Sequence, residues 1–453
     1  MPDLAGLEQV VPTSVIVTDP DVMERCRRDM ADLVSAGKPR AVLRPNTTEQ
    51  VSAILRWAHD TGTVVVPRGA GTGLSGGATA LDDSVIVSLE RMTAIRSIDV
   101  ANQTVVVEAG VVNATVGEVA AEHGLFYPPD PGSYEIATIG GNIATNAGGM
   151  RCVKYGVTRG SILGLEVVLA DGRILTTGGT TIKNVAGLDL THLFIGSEGT
   201  LGIITTATLR LRPAPASTAT FVATFPMLSA GADALAAIRA SGVTPSILEL
   251  MDNATINAVE DHQRMDLDRD TALMLVGQTD GPDALAQAAV ITTCCAAAGA
   301  DLAMDTDDPA ESALLLQARR LAGWVVMEQG PTVIEDVCVP RSELGTMLAA
   351  IADISSTTGI AIPTVGHAGD GNLHPMLRLP DLSDHSKRRA MDAADQICQV
   401  AINLNGTITG EHGIGELKRH MLTQQLDSTA TDLSNAIKYA IDPRGILNPG
   451  RGF

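Results

Sequence analysis

The stretch GTGLSG, Gly71 to Gly76, is a literal G-x-G-x-x-G, and the short spacing between it and the next strand limits the fold more than the motif does. A dinucleotide-binding fingerprint needs a helix after the glycines, and a parallel crossover takes a dozen or more residues. Here only Gly77 to Ser84 separate the loop from the next strand-like run, VIVSL. A Rossmann nicotinamide site is therefore disfavoured. What remains is a turn whose glycines let backbone N–H groups converge on an anion such as a pyrophosphate, with Arg68 at its entrance. A glycine-rich turn that only joins two strands is the alternative.

Two further loops favour the ligand. PPDPGSYEIATIGGNIATNAGGMRCVKYG, Pro128 to Gly156, is a long run of small and turn-forming residues, and GSEGTLGIIT, Gly196 to Thr205, is a third such stretch. A backbone that approaches a ligand closely needs small side chains. Three such loops in one region point to an extended cofactor laid across them. Between them lie short β-branched runs such as TVVVEAG and LEVVLADG, closely punctuated by turns, which predict a sheet-rich α+β domain over residues 1–213. RPAPAS, Arg212 to Ser217, reads as a boundary. Beyond it, strand-like TATFVATF, SILELM and TALMLVGQ alternate with Ala-rich helical stretches, so residues 214–409 are expected to place helices on a sheet. Residues 410–453 read as a loop followed by helical stretches.

Composition removes several classes of function. The formal net charge of -20 argues against nucleic acid, whose phosphates require clustered Lys and Arg. Phe 5, Tyr 4 and Trp 2 leave few platforms for stacking bases. The six cysteines lack CxxC spacing, and with no signal peptide in view the expected home is a reducing cytoplasm. No run of 18 apolar residues predicts a membrane span, which leaves peripheral attachment open.

GHAGDGNLH, Gly366 to His374, places two of only nine histidines seven apart across a glycine-rich turn. With Gly369 to Asn372 as the turn, Ala368 would pair with Leu373 and His367 with His374. Their Cβ atoms would then lie about 4.5–5.5 Å apart on one face. Two imidazoles so placed can share a metal, and they can equally be a structural pair. In GEHGIG, Gly410 to Gly415, adjacent Glu411 and His412 would point to opposite sides of an extended segment, one able to reach a metal and the other a substrate. The alternative is a helix start with an acidic first turn.

PRGAGTGLSGG, IGGNIATNAGG, LFIGSEGTLGIIT, GHAGDGNLH, GEHGIG and LNPG, in that order, resemble the FAD-linked oxidase family related to vanillyl-alcohol oxidase. The nearest branch holds D-lactate dehydrogenase, the glycolate oxidase flavin subunit and D-2-hydroxyglutarate dehydrogenase. The resemblance implies an α+β chain: a PCMH-type two-part FAD-binding domain, a substrate (cap) domain with an antiparallel sheet, and a C-terminal helical segment packing back on the FAD domain. It implies that Arg68, Gly69, Ala70, Gly71, Thr72, Gly73, Leu74 and Ser75 bind the FAD pyrophosphate. Pro129, Asp130, Ser133, Thr138, Gly141, Asn142, Asn146 and Gly148 would line the flavin and ribityl chain, with Glu198 and Ile203 along the adenosine side and Asn448 of LNPG also at the cofactor. The first loop holds Thr72 and no histidine, so the FAD is expected to be noncovalent.

By the same resemblance His367, His374 and Glu411 match the ligands of a divalent metal, most often zinc, His412 matches the catalytic base, and Asn372 contacts substrate. Arg319 matches the arginine that grips the substrate carboxylate, where the alternative is a helix-surface arginine. Fifteen residues on, relatives acting on 2-hydroxyglutarate carry a lysine, and this chain has Ile334. That departure favours D-lactate or glycolate over D-2-hydroxyglutarate. The expected reaction passes a hydride from the α-carbon to flavin N5 and the electrons onward to a quinone, cytochrome or electron-transfer protein; a homodimer is compatible with this. A zinc-dependent hydrolase or lyase is the rival of a different class.

Overall fold

The computed structural model describes residue 4 and residues 6–453. The chain divides into two compact units: residues 1–148, 157–214 and 411–453 form the first, and residues 149–156 and 215–410 the second.

In the first unit, β1 (Ile16–Val17), β2 (Ala41–Leu43), β3 (Val65–Arg68) and β4 (Val85–Ser88) form a sheet in the order β1-β2-β4-β3, in which β4 runs parallel to both β2 and β3. Helix α1 (Thr48–Thr61) connects β2 to β3. Its start is fixed by Thr47, whose side chain accepts from the Gln50 N–H, and its end by Gly62 in the left-handed region. Its apolar positions Val51, Ile54, Leu55 and Ala58 recur at helical spacing and are fully buried. β4 is buried along its whole length, as a strand between two parallel neighbours must be. The second sheet of this unit contains β5 (Ile95–Asp99), β6 (Thr104–Glu108), β7 (Ile162–Val168), β8 (Ile174–Gly178) and β9 (Ile203–Arg210), all antiparallel in the order β5-β6-β9-β7-β8. The C-terminal residues join the first sheet: Leu447 bridges Val65, and the Asn448 N–H donates to the Val65 carbonyl.

The second unit is built on one eight-stranded antiparallel sheet. Its strands are β10 (Thr218–Phe225), β11 (Ile247–Asp252), β12 (Leu273–Asp280), β13 (Leu302–Thr306), β14 (Thr332–Ile334), β15 (Val337–Cys338), β16 (Thr364–His367) and β17 (Asn372–Arg378). The order is β13-β10-β12-β11-β16-β17-β14, and β15 pairs with β17. Val222, Met251, Val276, Val365 and Met376 form one core with Ile256 and Val259 of helix α2 (Asn253–His262) and Leu316, Ala322 and Val326 of helix α3 (Pro309–Glu328). Phe221 and Phe225 alternate with Val222 and are fully buried, each burial contributing about 1.5–3 kcal/mol. Residues 149–156 belong here because Lys154 and Tyr155 both bond to the Asp280 carboxylate on β12. No described helix is long and apolar enough to cross a membrane.

Candidate active site

In the second unit, β16 and β17 form the hairpin that carries two histidines. The register differs from the sequence expectation: His367 pairs with Asn372 and Val365 with His374, so residues 368–371 form the loop. The Asp370 and Gly371 N–H groups donate to the His367 carbonyl and close the loop one residue earlier than the turn signals suggested. Relative to the expected pairing the strands are offset by two residues. A shift of two preserves the face, whereas a shift of one inverts it. His367 and His374 therefore share a face as diagonal neighbours, with ring centroids 5.1 Å apart and planes edge to face at 85°. The first strand of the hairpin starts at Thr364, after Pro363, and not at the IAIP segment.

Two fully buried carboxylates serve this hairpin, and the sequence reading passed over both. Glu249 on β11 is directly opposite His367 in the ladder. Its Oε1 and Oε2 lie 2.8 and 3.0 Å from His367 Nδ1, and Oε2 lies 2.7 Å from Arg319 Nη2. Burial pushes the Glu249 carboxyl up, but the charges of His367 and Arg319 and the His367 hydrogen bond outweigh it and hold the group below the usual carboxylate range. Asp336 accepts from Asn372 Nδ2, Thr409 Oγ1 and the Gly410 N–H, each at 2.8 Å, and its Oδ1 is 3.8 Å from His374 Nδ1. Both residues had a signal. Glu249 is an acid inside the otherwise apolar run ILELM, Asp336 follows Glu335 inside VIEDVCV, and acids are almost never fully buried without partners.

Helix α3 starts at Asp308, whose carboxylate accepts from the Ala310 and Glu311 N–H groups, with Pro309 at its first position. It puts Arg319 on its core face, one turn from Leu316 and Ala322, with 8% exposure. The helix-surface alternative is thereby removed. Arg319 Nε is buried and has no hydrogen-bond partner among the described residues. A buried guanidinium with an unused donor is suited to an anion. Ile334, on β14 opposite Met376, is partly buried against the same core.

In the first unit, Glu411 and His412 do not extend to opposite sides. The chain bends there, and Glu411 Oε1 lies 3.6 Å from His412 Nε2. Gly148 lets this happen, since a Cβ at that position would collide with Glu411 Oε2. The loop is clamped just beyond. Glu198 accepts the Ile414 and Gly415 N–H groups at 2.8 and 2.7 Å, and Ser75 Oγ donates to the Gly413 carbonyl at 2.9 Å. Burial raises the Glu198 carboxyl above its ordinary value against the lowering by those two N–H groups and by Arg451.

The remaining expected cofactor residues also belong to the first unit. Arg68 turns its guanidinium under Gly71 and donates to the Arg28 carbonyl at 2.8 Å, and burial lowers its pKa. Residues 139–145 form a short helix where the sequence suggested only loop, with Thr138 before it and Asn146, at φ 54°, ending it. Asn142 Oδ1 accepts from Asn113 Nδ2, and Asn146 Oδ1 from the Arg159 N–H. Asp130 is buried, Pro129 and Ser133 lie in the same turn-rich segment, and Ile203 is part of the apolar core with Val65, Val85 and Val168. Asn448 Nδ2 donates to the Gly77 and Glu198 carbonyls, while its buried Oδ1 has no partner among the described residues. The second unit thus brings together His367, His374, Asn372 and Arg319, and the first brings together Glu411, His412, Gly148, Ser75 and Glu198.

Residues 39–178 match the family described as FAD binding domain, and residues 214–451 the family described as FAD linked oxidases, C-terminal domain. The glycolate oxidase subunit GlcD of Bacillus subtilis (strain 168) is 41% identical over 418 residues, which cover 92% of this chain and 89% of that protein. D-lactate dehydrogenase of Archaeoglobus fulgidus is 36% identical over 415 residues, 90% of each. Among solved structures, p-cresol methylhydroxylase with substrate bound aligns at a TM-score of 0.80 and 19% identity, covering 98% of this chain and 95% of that one. The 4-ethylphenol oxidase from Gulosibacter chungangensis aligns at 0.79 and 21%, with the same coverage. These structural likenesses show the fold, a mixed α+β PCMH-type FAD-binding architecture.

The residues present fit an FAD. Thr138 Oγ1 is buried and has no hydrogen-bond partner among the described residues. A Cβ on Gly69 would collide with it, so the glycine is what lets the loop approach this hydroxyl so closely. An unused buried hydroxyl beside a glycine-rich loop suits a polar ligand, because leaving it unmatched costs about 1–3 kcal/mol.

Proposed function

The chain belongs to the FAD-linked oxidase family, and from that premise we propose that it oxidises a D-2-hydroxy acid, D-lactate or glycolate, to the 2-oxo acid. The observation that carries the substrate class is Arg319. A buried cation with an unused Nε donor, in the same unit as a histidine pair, is matched by a carboxylate. Two relatives bear the names glycolate oxidase subunit and D-lactate dehydrogenase.

In this reading Arg319 binds the substrate carboxylate and Asn372, oriented by Asp336, contacts the substrate. His412 accepts the hydroxyl proton on its imidazole, the side chain most often used as a general base. FAD, held noncovalently along the loops that contain Arg68 to Ser75 and Thr138 to Gly148, supplies the hydride acceptor when bound. A divalent metal, zinc in this proposal, would be held by His367, His374 and Glu411 and would supply a Lewis acid to the substrate oxygens. Imidazole and carboxylate are the donor types zinc takes. Electrons leave to a separate acceptor, since the cysteines form no iron–sulfur pattern. A hydrolytic zinc centre, the rival reading, does not account for an FAD-binding domain.

The test is the anaerobic visible spectrum of the FAD-loaded protein before and after D-lactate, L-lactate, glycolate and D-2-hydroxyglutarate. D-lactate or glycolate should bleach the flavin. A flavin that none of the four reduces would overturn the assignment. Ile334 gives the selectivity its own test. A lysine there can carry its ammonium past the apolar neighbours of the strand towards a second carboxylate. Ile334→Lys should therefore raise kcat/KM for D-2-hydroxyglutarate relative to D-lactate by about tenfold, the effect of roughly 1.4 kcal/mol. An unchanged ratio would place the selectivity elsewhere.

A further inference from the structure

We propose that Glu249 is a positioning residue for two functions at once: it fixes His367 with Nε2 as its metal donor, and it aims Arg319 at the substrate carboxylate. The inference rests on the function proposed above and deepens it.

The geometry is confined to the second unit. Glu249 is fully buried, and its carboxylate faces His367 Nδ1 with both oxygens, at 2.8 and 3.0 Å. An ionised carboxylate only accepts hydrogen bonds, so the imidazole turns a proton on Nδ1 towards it, and Nε2 is the nitrogen through which the ring can meet a metal. That selects the tautomer and the ring orientation, as a carboxylate behind a metal-binding histidine does elsewhere. Oε2 simultaneously takes the Arg319 Nη2 donor at 2.7 Å. The guanidinium is therefore anchored at one nitrogen while its Nε remains unmatched. One anion thus opposes two donors approaching from two different elements, the β16 strand and helix α3. Glu249 sits at the point where they meet because β11 pairs it directly with His367.

This arrangement separates glutamate from its amide. Glutamine offers one acceptor oxygen and one NH2 group. Whichever way it turns, a donor faces either His367 Nδ1–H or the Arg319 guanidinium. Glu249→Gln should therefore weaken zinc binding by FAD-loaded protein about 10–100-fold in chelator competition, the usual scale for an outer partner of a metal ligand. It should also raise the KM for D-lactate, with flavin absorbance near wild type and a lowered thermal midpoint, since the buried Arg319 loses its counter-charge. Glu249→Asp, which keeps both acceptor oxygens, should recover part of the zinc affinity.

Equal zinc affinity in wild type and Glu249→Gln would overturn the inference while leaving the metal reading intact. A wild-type protein that takes up no stoichiometric zinc would overturn the metal reading itself, and the positioning of His367 with it. A second measurement needs no variant: nitrogen NMR of histidine-labelled wild type loaded with cadmium-113. Metal coupling should appear at His367 Nε2 with the proton on Nδ1. Coupling at Nδ1 would overturn the proposal even if the Glu249→Gln variant failed to fold.

Discussion

Replacing His412 by alanine should leave a yellow, FAD-loaded protein whose flavin is reduced by its hydroxy acid about 10²–10⁴-fold more slowly, the contribution usual for a positioned general base. The expectation of intact cofactor comes from how the loop is held. Its path is set by the Ile414 and Gly415 N–H groups on Glu198 and by Ser75 Oγ on the Gly413 carbonyl, bonds in which the imidazole takes no part. Loss of the side chain therefore removes a proton acceptor and leaves the backbone clamp in place. Anaerobic stopped-flow reduction separates this step from reoxidation, and added imidazole should restore part of the rate. Reduction at the wild-type rate would remove His412 from the chemistry, whatever it does for binding.

Much of this architecture was legible because it is written in local signals. The short distance from GTGLSG to the next strand disfavoured a nicotinamide fold, and the path from β3 to β4 contains no helix. Helix α1 carries its cap, its apolar period and its terminal glycine within sixteen consecutive residues. Features decided between distant segments were less legible. Turn residues could not set the His367 loop to one register, because Gly369, Asp370 and Gly371 suit loops of more than one length. The face survived only because the error was two residues. The small residues 139–145 read as loop, yet they form a helix despite Gly140 and Gly141, since tertiary contacts outweigh a glycine cost of about 1 kcal/mol each. Glu249 and Asp336 were hardest, because their roles depend on partners 118 and 36 residues away. An acid within an apolar run marks that such a partner exists without naming it.

Removing His367 should separate metal from flavin. His367→Ala is expected to keep FAD, whose expected binding loops belong to the first unit, while zinc content falls well below one per chain and turnover drops by at least about 100-fold. The direction comes from the donor set: two imidazoles 5.1 Å apart become one, and a single histidine with Glu411 leaves too few protein ligands for a tight zinc site. The fold bears a smaller penalty. Glu249 loses the hydrogen bond from Nδ1 but keeps Arg319 at 2.7 Å, so its buried charge stays paired. The cost should be about 1–3 kcal/mol of stability, well below what leaving that carboxylate without any cation would bring. His374→Ala gives the comparison, because Asp336 retains Asn372, Thr409 and the Gly410 N–H when His374 is gone. Both variants should lose zinc together while keeping different parts of the hydrogen-bond network. Full metal content and turnover in His367→Ala would mean that the histidine pair only packs the hairpin, and the Lewis acid would have to be dropped from the reaction.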